Sequence, residues 1–473
     1  MNIILFSLDT LRADRLSCYG HQRQTSPHLD RLAAQGALFT EFFSPHIPTF
    51  PGHTTMMTGR DVYAHHITGQ SGTPELPASI PMLAEILQRA GYFTGAADNL
   101  GRWFTRGFEL YEGYQWETAG LREWRKAEAV TSTALRVIDA AASQDRPFFL
   151  FLHYWDPHTP YLPPAPFSRM FYEGDERDPA NTSMAPVWEF EAFRWYFNEW
   201  MPGVTDIEFP KAQYDAEIAY MDACLAHVFA RIEAHGLLDG TLLVFTADHG
   251  EELDEHGCWF DHHGLYDPNV RIPLVLRLPG RIAAGARVPG FTRTQDIVPT
   301  VLDYANLLDP ALRLDGASMR PLLEPAPGRV FSPDPLYPAR GTCDILHLTE
   351  NTWMKKRALR THAWKLITAL EPDIHGFPMA ELYDLTRDPG EQRNLAEELP
   401  DVVAGLRAQM DEHVRRRTTN AGLPDPLPTQ PIPLRRIGRV EEAVPRDEAV
   451  APADEKLCEG DFVGYEREEE PAG

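Results

Sequence analysis

Short apolar runs alternate with amphipathic segments through the first two thirds of the chain. The apolar runs are typical of buried strands, and the segments between them are typical of helices, with Ser26 as a candidate N-cap and Gly36 as a stop signal. Strands separated by helices predict an α/β domain around a mostly parallel sheet. The strands are predicted at residues 2–8, 92–97, 147–155, 241–247 and 272–278, and the helices at 26–36, 79–91 and 216–236.

The pattern changes after about residue 325. The stretches "RALRTHAWKLI" and "ELYDL" predict short strands, and "DVVAGLRAQMDEHV" predicts a helix, which together indicate a small α+β domain. We therefore expect a large α/β domain over 1–325, a small C-terminal domain over 326–417, and a Pro-rich acidic tail over 418–473 that is extended or disordered. Residues 165–210, rich in aromatic residues, proline and acids, are expected to form a long insertion that covers a site as a lid.

Polar clusters follow three of the predicted strands, in "SLDTLRAD", "HYWDPHTPY" and "TADHGEELDEHG". Open α/β sheets bind ligands at the carboxyl ends of their strands, so these clusters are expected at one edge of the sheet. Asp9, Asp248 and His249 supply two carboxylates and an imidazole, a set that suits a divalent transition metal. Taken singly, Asp9 is ordinarily a turn residue and an Asp-His pair is ordinarily exposed.

Thr49 lies in the stretch "SPHIPTFPGHTTMMTGR". A threonine in a proline-flanked loop before a helix is an N-cap by default. Beside a metal ion, however, its oxygen could coordinate the ion, and the lowered pKa of the hydroxyl would make it a nucleophile at neutral pH. Thr49 is therefore a candidate metal ligand and a candidate nucleophile.

Composition narrows the class of partner. The formal net charge of −25 argues against nucleic acid as a general partner, because a phosphate backbone requires a basic surface. The chain has no run of about 18 apolar residues, so no membrane span is expected. It begins without a signal peptide, and its five cysteines are scattered, which predicts a cytoplasmic protein without a disulfide framework. Formation of a homo-oligomer is an alternative that the sequence leaves open.

Several motifs, in order along the chain, resemble the sulfatase family of the alkaline phosphatase superfamily, and the resemblance covers nearly the whole chain before the tail. It implies a large α/β domain around a mixed sheet, a small C-terminal domain with a short antiparallel sheet, and hydrolysis of sulfate or phosphate esters. The motifs that carry it are "NIILFSLDTLRADRLSCYGHQRQTSPHLDRLAAQG", "TFPGHTTMMTGR", "FFLFLHYWDPHTPY", "TADHGEELDEHGCWFDHHGLYDPNVRIPLVLRLPG" and "ELYDLTRDPGEQRNLAE".

The nucleophile segment departs from the family pattern. Typical sulfatases have, at the position of Thr49, a cysteine in Cys-x-Pro-x-Arg that is converted to formylglycine, and His53 stands at the arginine. A formylglycine hydrate expels sulfate through its second hydroxyl, which a threonine ester lacks. The segment also resembles that of nucleotide pyrophosphatase/phosphodiesterases, which use threonine. The resemblance therefore implies that Thr49 is the nucleophile, and it favours phosphate or phosphonate over sulfate.

The resemblance also implies a metal site. Asp248 matches a metal-binding aspartate, Asp9 matches another, and His249 stands where the family has asparagine or histidine. We expect one divalent ion, held by these residues and Thr49, with Zn²⁺ or Mn²⁺ favoured over Ca²⁺ because calcium prefers oxygen ligands. Binding of a second metal ion by Asp156 and His158 is an alternative that the sequence leaves open.

The substrate-binding positions differ in part from the family. His158 matches the substrate-binding histidine, whereas the two lysines of typical sulfatases are absent. Asn99 or Arg102 lies in the region of the first lysine, and His262, with His263 beside it, matches the second. The substrate-binding set implied by the resemblance is His53, Asn99, His158, His262 and His263.

These residues predict a metal-dependent hydrolase of sulfate- or phosphate-type esters. Thr49 would attack, and His158 or His262 would contact the transferred group or protonate the leaving group. The expected substrate is a small anionic phosphodiester or phosphonate monoester. The alternatives are a true sulfatase with unmodified threonine, a transferase, and a sulfatase-like scaffold that binds metal without turnover.

Overall fold

The first strand of the chain lies in the middle of the larger of two sheets. The computed structural model describes residues 1–70, 73–116, 123–324 and 342–432. Residues Ile3, Ile4, Leu5 and Phe6 are fully buried, as expected for a strand that is covered on both faces. The described strands are β1 (Asn2–Leu8), β2 (Ala37–Phe43), β3 (His46–Ile47), β4 (Phe93–Ala97), β5 (Leu110–Glu112), β6 (Phe148–Tyr154), β7 (Thr241–Thr246), β8 (Arg271–Arg277), β9 (Ala286–Val288), β10 (Thr292–Arg293), β11 (Leu346–Asn351), β12 (Lys355–Arg360), β13 (Trp364–Ala369) and β14 (Ala380–Asp384).

The larger sheet is mixed and mostly parallel. Its order is β10–β2–β8–β7–β1–β6–β4–β5, and β9 pairs with β2. β1 is parallel to β6 and β7, whereas β8 is antiparallel to both β7 and β2. The predicted α/β fold class is confirmed.

Helices pack against this sheet, as the alternating pattern predicted. α5 is amphipathic: Val130, Ala134, Val137, Ile138 and Ala141 are buried at helical spacing, and the helix packs on β4 and β6. The described helices are α1 (Pro27–Ala34), α2 (Thr49–Thr58), α3 (Val62–His65), α4 (Leu83–Arg89), α5 (Lys126–Ala142), α6 (Ala185–Glu189), α7 (Glu191–Trp200), α8 (Glu208–Ala234), α9 (Asp267–Val270), α10 (Ile297–Tyr304), α11 (Arg320–Leu323), α12 (Pro400–Ala421) and α13 (Pro426–Thr429).

The start of α1 is capped from another helix. Ser26 was the candidate N-cap, but its hydroxyl donates to Asp30 Oδ1, 3.0 Å away. The carboxylate of Asp222, on α8, accepts the amides of His28 and Leu29 instead, each at 2.9 Å. Ser26 thus occupies the predicted N-cap position, but the side chain that caps the helix comes from a residue that is distant in sequence.

The second sheet contains the short C-terminal strands and one strand from the N-terminal part. Its order is β14–β13–β12–β11–β3. The four C-terminal strands are antiparallel to one another, as expected, while β3 joins β11 in parallel. β3 ends two residues before Thr49, so the second sheet is attached directly to the segment that carries the candidate nucleophile.

The start of the predicted tail at residue 418 falls inside α12, which continues to Ala421. Beyond it, Leu427 is fully buried, and the Gln430 side chain donates to the carbonyl of His66 at 2.7 Å. Residues 418–432 are thus structured, because apolar residues between the prolines pack on the body of the protein. Residues 433–473 and the predicted boundary at 325 lie outside the described residues. None of the helices in the described ranges combines the length and apolar character that a membrane span requires.

Candidate functional site

Two aspartates meet at the carboxyl edge of the larger sheet. Ser7 of β1 pairs with Thr246 of β7, and two residues further along each strand are Asp9 and Asp248. The ladder with β6 continues to Asp9, whose amide donates to the carbonyl of Tyr154 at 2.8 Å. Strand register therefore places the two carboxylates side by side.

His249 completes a compact group with the two aspartates. Its Nε2 lies 3.2 Å from Asp248 Oδ2 and 3.9 Å from Asp9 Oδ1. One ligand atom from each of the three residues lies within 4.8 Å of the others, and all three side chains are buried. The structure thus brings together the predicted metal ligands Asp9, Asp248 and His249.

Thr49 is the first residue of α2 and faces this group. Its Oγ1 lies 3.1 Å from His249 Nε2, and the side chain has no exposed surface. The helix approaches the sheet closely because residue 52 is glycine: a Cβ there would lie 3.0 Å from the carbonyl oxygen of Asp248. The positive end of the α2 dipole favours a negative group beside Thr49.

His53 supports Thr49 from one turn further along α2. Its Nδ1 lies 3.0 Å from the Thr49 carbonyl oxygen and 3.4 Å from Asp248 Oδ2, and its Nε2 lies 2.9 Å from Ser7 Oγ. Burial lowers the pKa of His53, which favours the neutral ring. The ring is wedged between the strand and the helix, so the structure places it behind Thr49.

A histidine that the sequence interpretation missed holds Asp9 from behind. His153, on β6, has Nε2 3.3 Å from Asp9 Oδ2 and Nδ1 2.8 Å from Asp98 Oδ1. Burial opposes protonation of His153, but its bonds to Asp9 and Asp98 outweigh burial and raise its pKa to about 10. The available signal was a histidine near the end of the otherwise apolar run "FFLFLHY".

The pKa values of the two carboxylates in the group are shifted in opposite directions. Burial alone would raise the pKa of Asp9, but the bond to His153 and the charges of the surrounding histidines hold it well below its usual range. Burial raises the pKa of Asp248, and the charge of Asp9 raises it further. Two adjacent buried carboxylates repel each other, and a positive charge bound between them would stabilise both.

The group fits a divalent cation. Asp9 Oδ1 and Asp248 Oδ2 are buried and make no hydrogen bond to the described residues. Such oxygens are costly to bury unless an ion or another partner contacts them. Thr10, the residue after Asp9, has a backbone φ of 55°. This region is unfavourable for a β-branched residue, so the backbone beside Asp9 is strained.

His158 and His262 lie on the outer side of the group. The His262 ring stacks on His249 with centroids 4.8 Å apart, and His158 lies 4.9 Å from His262. Thr49 has no exposed surface, whereas His158 is 3% and His262 is 7% exposed. Of these three residues the two histidines are the slightly exposed ones, which makes them the candidates for contact with a ligand.

Two predicted substrate contacts are not brought to this group. His263 turns to the other side of its loop, where its Nε2 lies 2.8 Å from His375 Nε2. The Asn99 side chain donates to the carbonyl of Tyr114 at 2.7 Å and accepts its amide at 2.9 Å, which holds a loop together. Their expected substrate contacts are not supported, because the His263 ring faces His375 and the Asn99 amide is paired with the backbone of Tyr114.

The second metal position left open at Asp156 and His158 also has a different arrangement. Lys126 Nζ lies 3.6 Å from Asp156 Oδ1 and donates to the carbonyl oxygen of His158 at 2.7 Å. The lysine ammonium thus provides the positive charge next to Asp156. This pairing does not support a second ion at this position.

The predicted insertion at 165–210 packs beside the loop that carries His262. Its helix α7 buries Phe193 against His263, with ring centroids 5.5 Å apart, and Phe197 against Phe260 at 6.2 Å. The insertion is therefore in contact with the outer wall of the candidate site.

Comparison with known proteins identifies the family. The family model described as "Sulfatase" matches residues 1–307, and the model described as "N-sulphoglucosamine sulphohydrolase, C-terminal" matches residues 254–418. N-acetylglucosamine-6-O-sulfatase of Bacteroides thetaiotaomicron is 23% identical over 83% of this chain and 82% of its own. Arylsulfatase A of Homo sapiens is 27% identical over 87% of this chain and 89% of its own.

The fold is shared with solved structures. The crystal structure of phosphonate monoester hydrolase of Agrobacterium radiobacter matches with a TM-score of 0.68 and 23% identity, covering 88% of this chain and 96% of that one. The chain therefore belongs to the sulfatase family, whose members use a divalent metal ion, and it is an ester hydrolase.

Proposed function

We propose that the protein hydrolyses phosphodiesters or phosphonate monoesters and that Thr49 is its nucleophile. The observation that carries the proposal is the position of Thr49 Oγ1, at the head of α2 and 3.1 Å from His249 of the Asp9–Asp248–His249 group. No cysteine precedes a Pro-x-Arg sequence in the chain, so threonine stands in place of the formylglycine precursor.

Asp9, Asp248 and His249 would hold one divalent ion, with Thr49 Oγ1 beside it. Because His249 offers nitrogen, Zn²⁺ or Mn²⁺ suits the group better than Ca²⁺. When bound, the ion supplies positive charge that lowers the pKa of a nearby hydroxyl and stabilises negative charge on the substrate oxygens. His153 and Asp98 keep the Asp9 carboxylate oriented and ionised.

In the first step the Thr49 hydroxyl releases its proton to solvent, and its Oγ1 forms a bond to phosphorus while the bond to the leaving oxygen breaks on the opposite side. His158 and His262, on the outer side of Thr49, would bind the non-bridging oxygens and donate a proton to the leaving oxygen. In the second step water attacks phosphorus and restores the Thr49 hydroxyl. A threonine ester has no second hydroxyl, so the elimination that formylglycine allows is closed to it.

The charge of the site favours a substrate with one negative charge. The two carboxylates contribute −2 and a divalent ion contributes +2. Among the described residues, no lysine or arginine forms an ion pair with Asp9 or Asp248. A diester or phosphonate monoester carries one negative charge, which this site neutralises more readily than the two charges of a phosphate monoester.

A true sulfatase with unmodified threonine is the second candidate. It is favoured by the relatives, two of which are an N-acetylglucosamine-6-O-sulfatase and an arylsulfatase A. A sulfate monoester also carries a single charge, so the two candidates differ only in how the Thr49 ester is opened.

We also propose that the chain is organised as a catalytic domain over 1–325 and a smaller domain over 326–417. Residues 165–210 would act as a lid, because α7 packs on the loop that carries His262.

A panel of p-nitrophenyl esters with one leaving group tests the proposal. The panel contains the sulfate, the phosphate, the bis-phosphate diester and the phenylphosphonate, assayed with Asp248→Asn as the blank for contaminating activity. We expect the highest kcat/KM for the diester or the phosphonate. A kcat/KM for the sulfate above all three phosphorus esters would overturn the proposal in favour of the sulfatase.

A further inference from the structure

A second group of metal-binding side chains lies on the opposite side of the His262 loop. Cys258 and His263 belong to the connection between β7 and β8, and His375 belongs to the connection between β13 and β14. One ligand atom from each lies within 4.8 Å of the others. The group therefore joins the connections of two different sheets.

The two imidazoles face each other. His263 Nε2 lies 2.8 Å from His375 Nε2, and the rings are stacked at 27° with centroids 4.8 Å apart. Around a tetrahedral ion with bonds of about 2.0–2.1 Å, two nitrogens stand about 3.4 Å apart, so a small opening of the pair would admit the ion. Sulfur and nitrogen would stand about 3.6 Å apart. The Cys258 sulfur lies within 4.8 Å of a nitrogen of each histidine, so a modest closure on its side would complete the group.

A carboxylate lies near the second ring nitrogen of His263. Its Nδ1 lies 3.5 Å from Asp261 Oδ1, and Asp261 Oδ2 accepts the indole N–H of Trp353 at 3.2 Å. At this distance the carboxylate makes no hydrogen bond to Nδ1, but a small approach would form one, which would orient the ring and make the other nitrogen a better ligand. The arrangement leaves Nε2 directed towards His375.

The surroundings are apolar next to the rings and acidic around the sulfur. Phe190 and Phe377 stack on His375 with centroids 4.5 and 4.8 Å away, which limits access of water. Burial raises the pKa of the Cys258 thiol, the charges of Glu252, Glu350 and Glu381 raise it further, and the charge of Lys356 lowers it. Glu350 accepts the amide of Gly264 at 3.1 Å, while its buried Oε2 makes no hydrogen bond to the described residues.

We infer that Cys258, His263 and His375 bind a transition-metal ion that is distinct from the Asp9–Asp248–His249 site. One thiolate and two imidazoles are the ligands that Zn²⁺ prefers, and water or a nearby carboxylate would fill the fourth position. The ion would tie the β13–β14 connection to the loop whose other side carries His262. This site does not depend on the proposed substrate or on the role of Thr49.

Cobalt substitution tests the second site without an activity measurement. The full-length protein is stripped of metal and titrated with Co²⁺, and the near-ultraviolet thiolate-to-cobalt charge-transfer band is recorded. We expect the band in the wild type and in Asp248→Asn, because the first site contains no sulfur. We expect it also in Cys224→Ser, a matched control in which another buried cysteine, on α8, is changed. It should be absent in Cys258→Ser and at least tenfold weaker in His375→Gln.

Elemental analysis gives the stoichiometry. The wild type should hold two equivalents of transition metal, zinc and manganese counted together, and Cys258→Ser and Asp248→Asn should each hold one. His375 is only partly buried, so His375→Gln is expected to fold even if Cys258→Ser does not. His375→Gln then tests the second site by itself. A wild type without the band, or a band that persists in both Cys258→Ser and His375→Gln, would overturn the inference.

Discussion

Thr49→Val separates the chemical role of the threonine from its structural role. The substitution removes one hydroxyl and keeps the branched shape in a position that has no exposed surface. The bond from Oγ1 to His249 is a single hydrogen bond of 3.1 Å, whose loss costs about 1 kcal/mol of stability. Loss of the nucleophile should lower kcat/KM about 10³-fold or more, equivalent to about 4 kcal/mol of transition-state stabilisation.

The same helix provides a matched control. Thr55 is also fully buried, and its Oγ1 lies 3.1 Å from a histidine nitrogen, Nε2 of His65. Thr55→Val therefore removes the same group, at the same distance from the same kind of partner, without touching the Asp9–Asp248–His249 group. Its stability should fall by a similar amount of about 1 kcal/mol. Its kcat/KM should stay within about threefold of the wild type.

The assay combines three measurements on each variant. They are kcat/KM on the best ester of the panel, metal content by elemental analysis, and the free energy of unfolding in urea. Thr49→Ser keeps a hydroxyl and should retain part of the activity. Wild-type turnover in Thr49→Val with the metal still bound would remove Thr49 from the mechanism. An equal loss in Thr55→Val would show that the effect comes from helix α2 and not from the nucleophile.

Two further predictions concern the metal and the pH dependence of stability. Removal of the metal with a chelator should abolish turnover, and addition of Zn²⁺ or Mn²⁺ should restore it. Asp248→Asn should lower the metal affinity at least tenfold. Recovery of turnover with Ca²⁺ alone would contradict the assignment of a transition metal to the site. Burial, with the charges of His66 and Arg60, lowers the pKa of His65 to about 3, so its contribution to stability is complete above pH 6.5 and is lost as the pH falls towards 3. Between pH 6.5 and 5 the free energy of unfolding should fall by about 2 kcal/mol because of His65. His65→Gln should reduce the pH dependence of the unfolding free energy in urea by that amount. An unchanged pH dependence in this variant would show that His65 does not cause it.

The main parts of the fold could be predicted from the sequence because they depend on local patterns. Fully apolar runs specified the central strands, and parallel pairing then brought residues at equal distances past β1 and β7 together. Asp9 and Asp248 meet for this reason, each two residues beyond the paired Ser7 and Thr246. His249 follows directly, so the core of the candidate metal site needed no information beyond strand order.

Side chains in loops could not be assigned in the same way. His262 and His263 are adjacent in sequence, yet one stacks on His249 and the other on His375. No periodic pattern decides which of two loop residues faces the site, because packing against α7 and the second sheet does so. His153 was missed for a related reason: a histidine inside an apolar strand gives no sign of its partners until the neighbouring strand places Asp98 beside it.

The second sheet shows why a site at the edge of one sheet can depend on another sheet. β3 is only two residues long, too short to be predicted, and it pairs with β11 more than 300 residues later in the chain. His46 Nδ1 lies 2.8 Å from Thr349 Oγ1, and the amide of Thr349 donates to the carbonyl of Pro45 at 2.9 Å. These bonds hold the backbone that leads into Thr49 from the C-terminal side of the protein. The small sheet therefore anchors the backbone just before α2, and a change in β11 would be transmitted to Thr49 through only two residues.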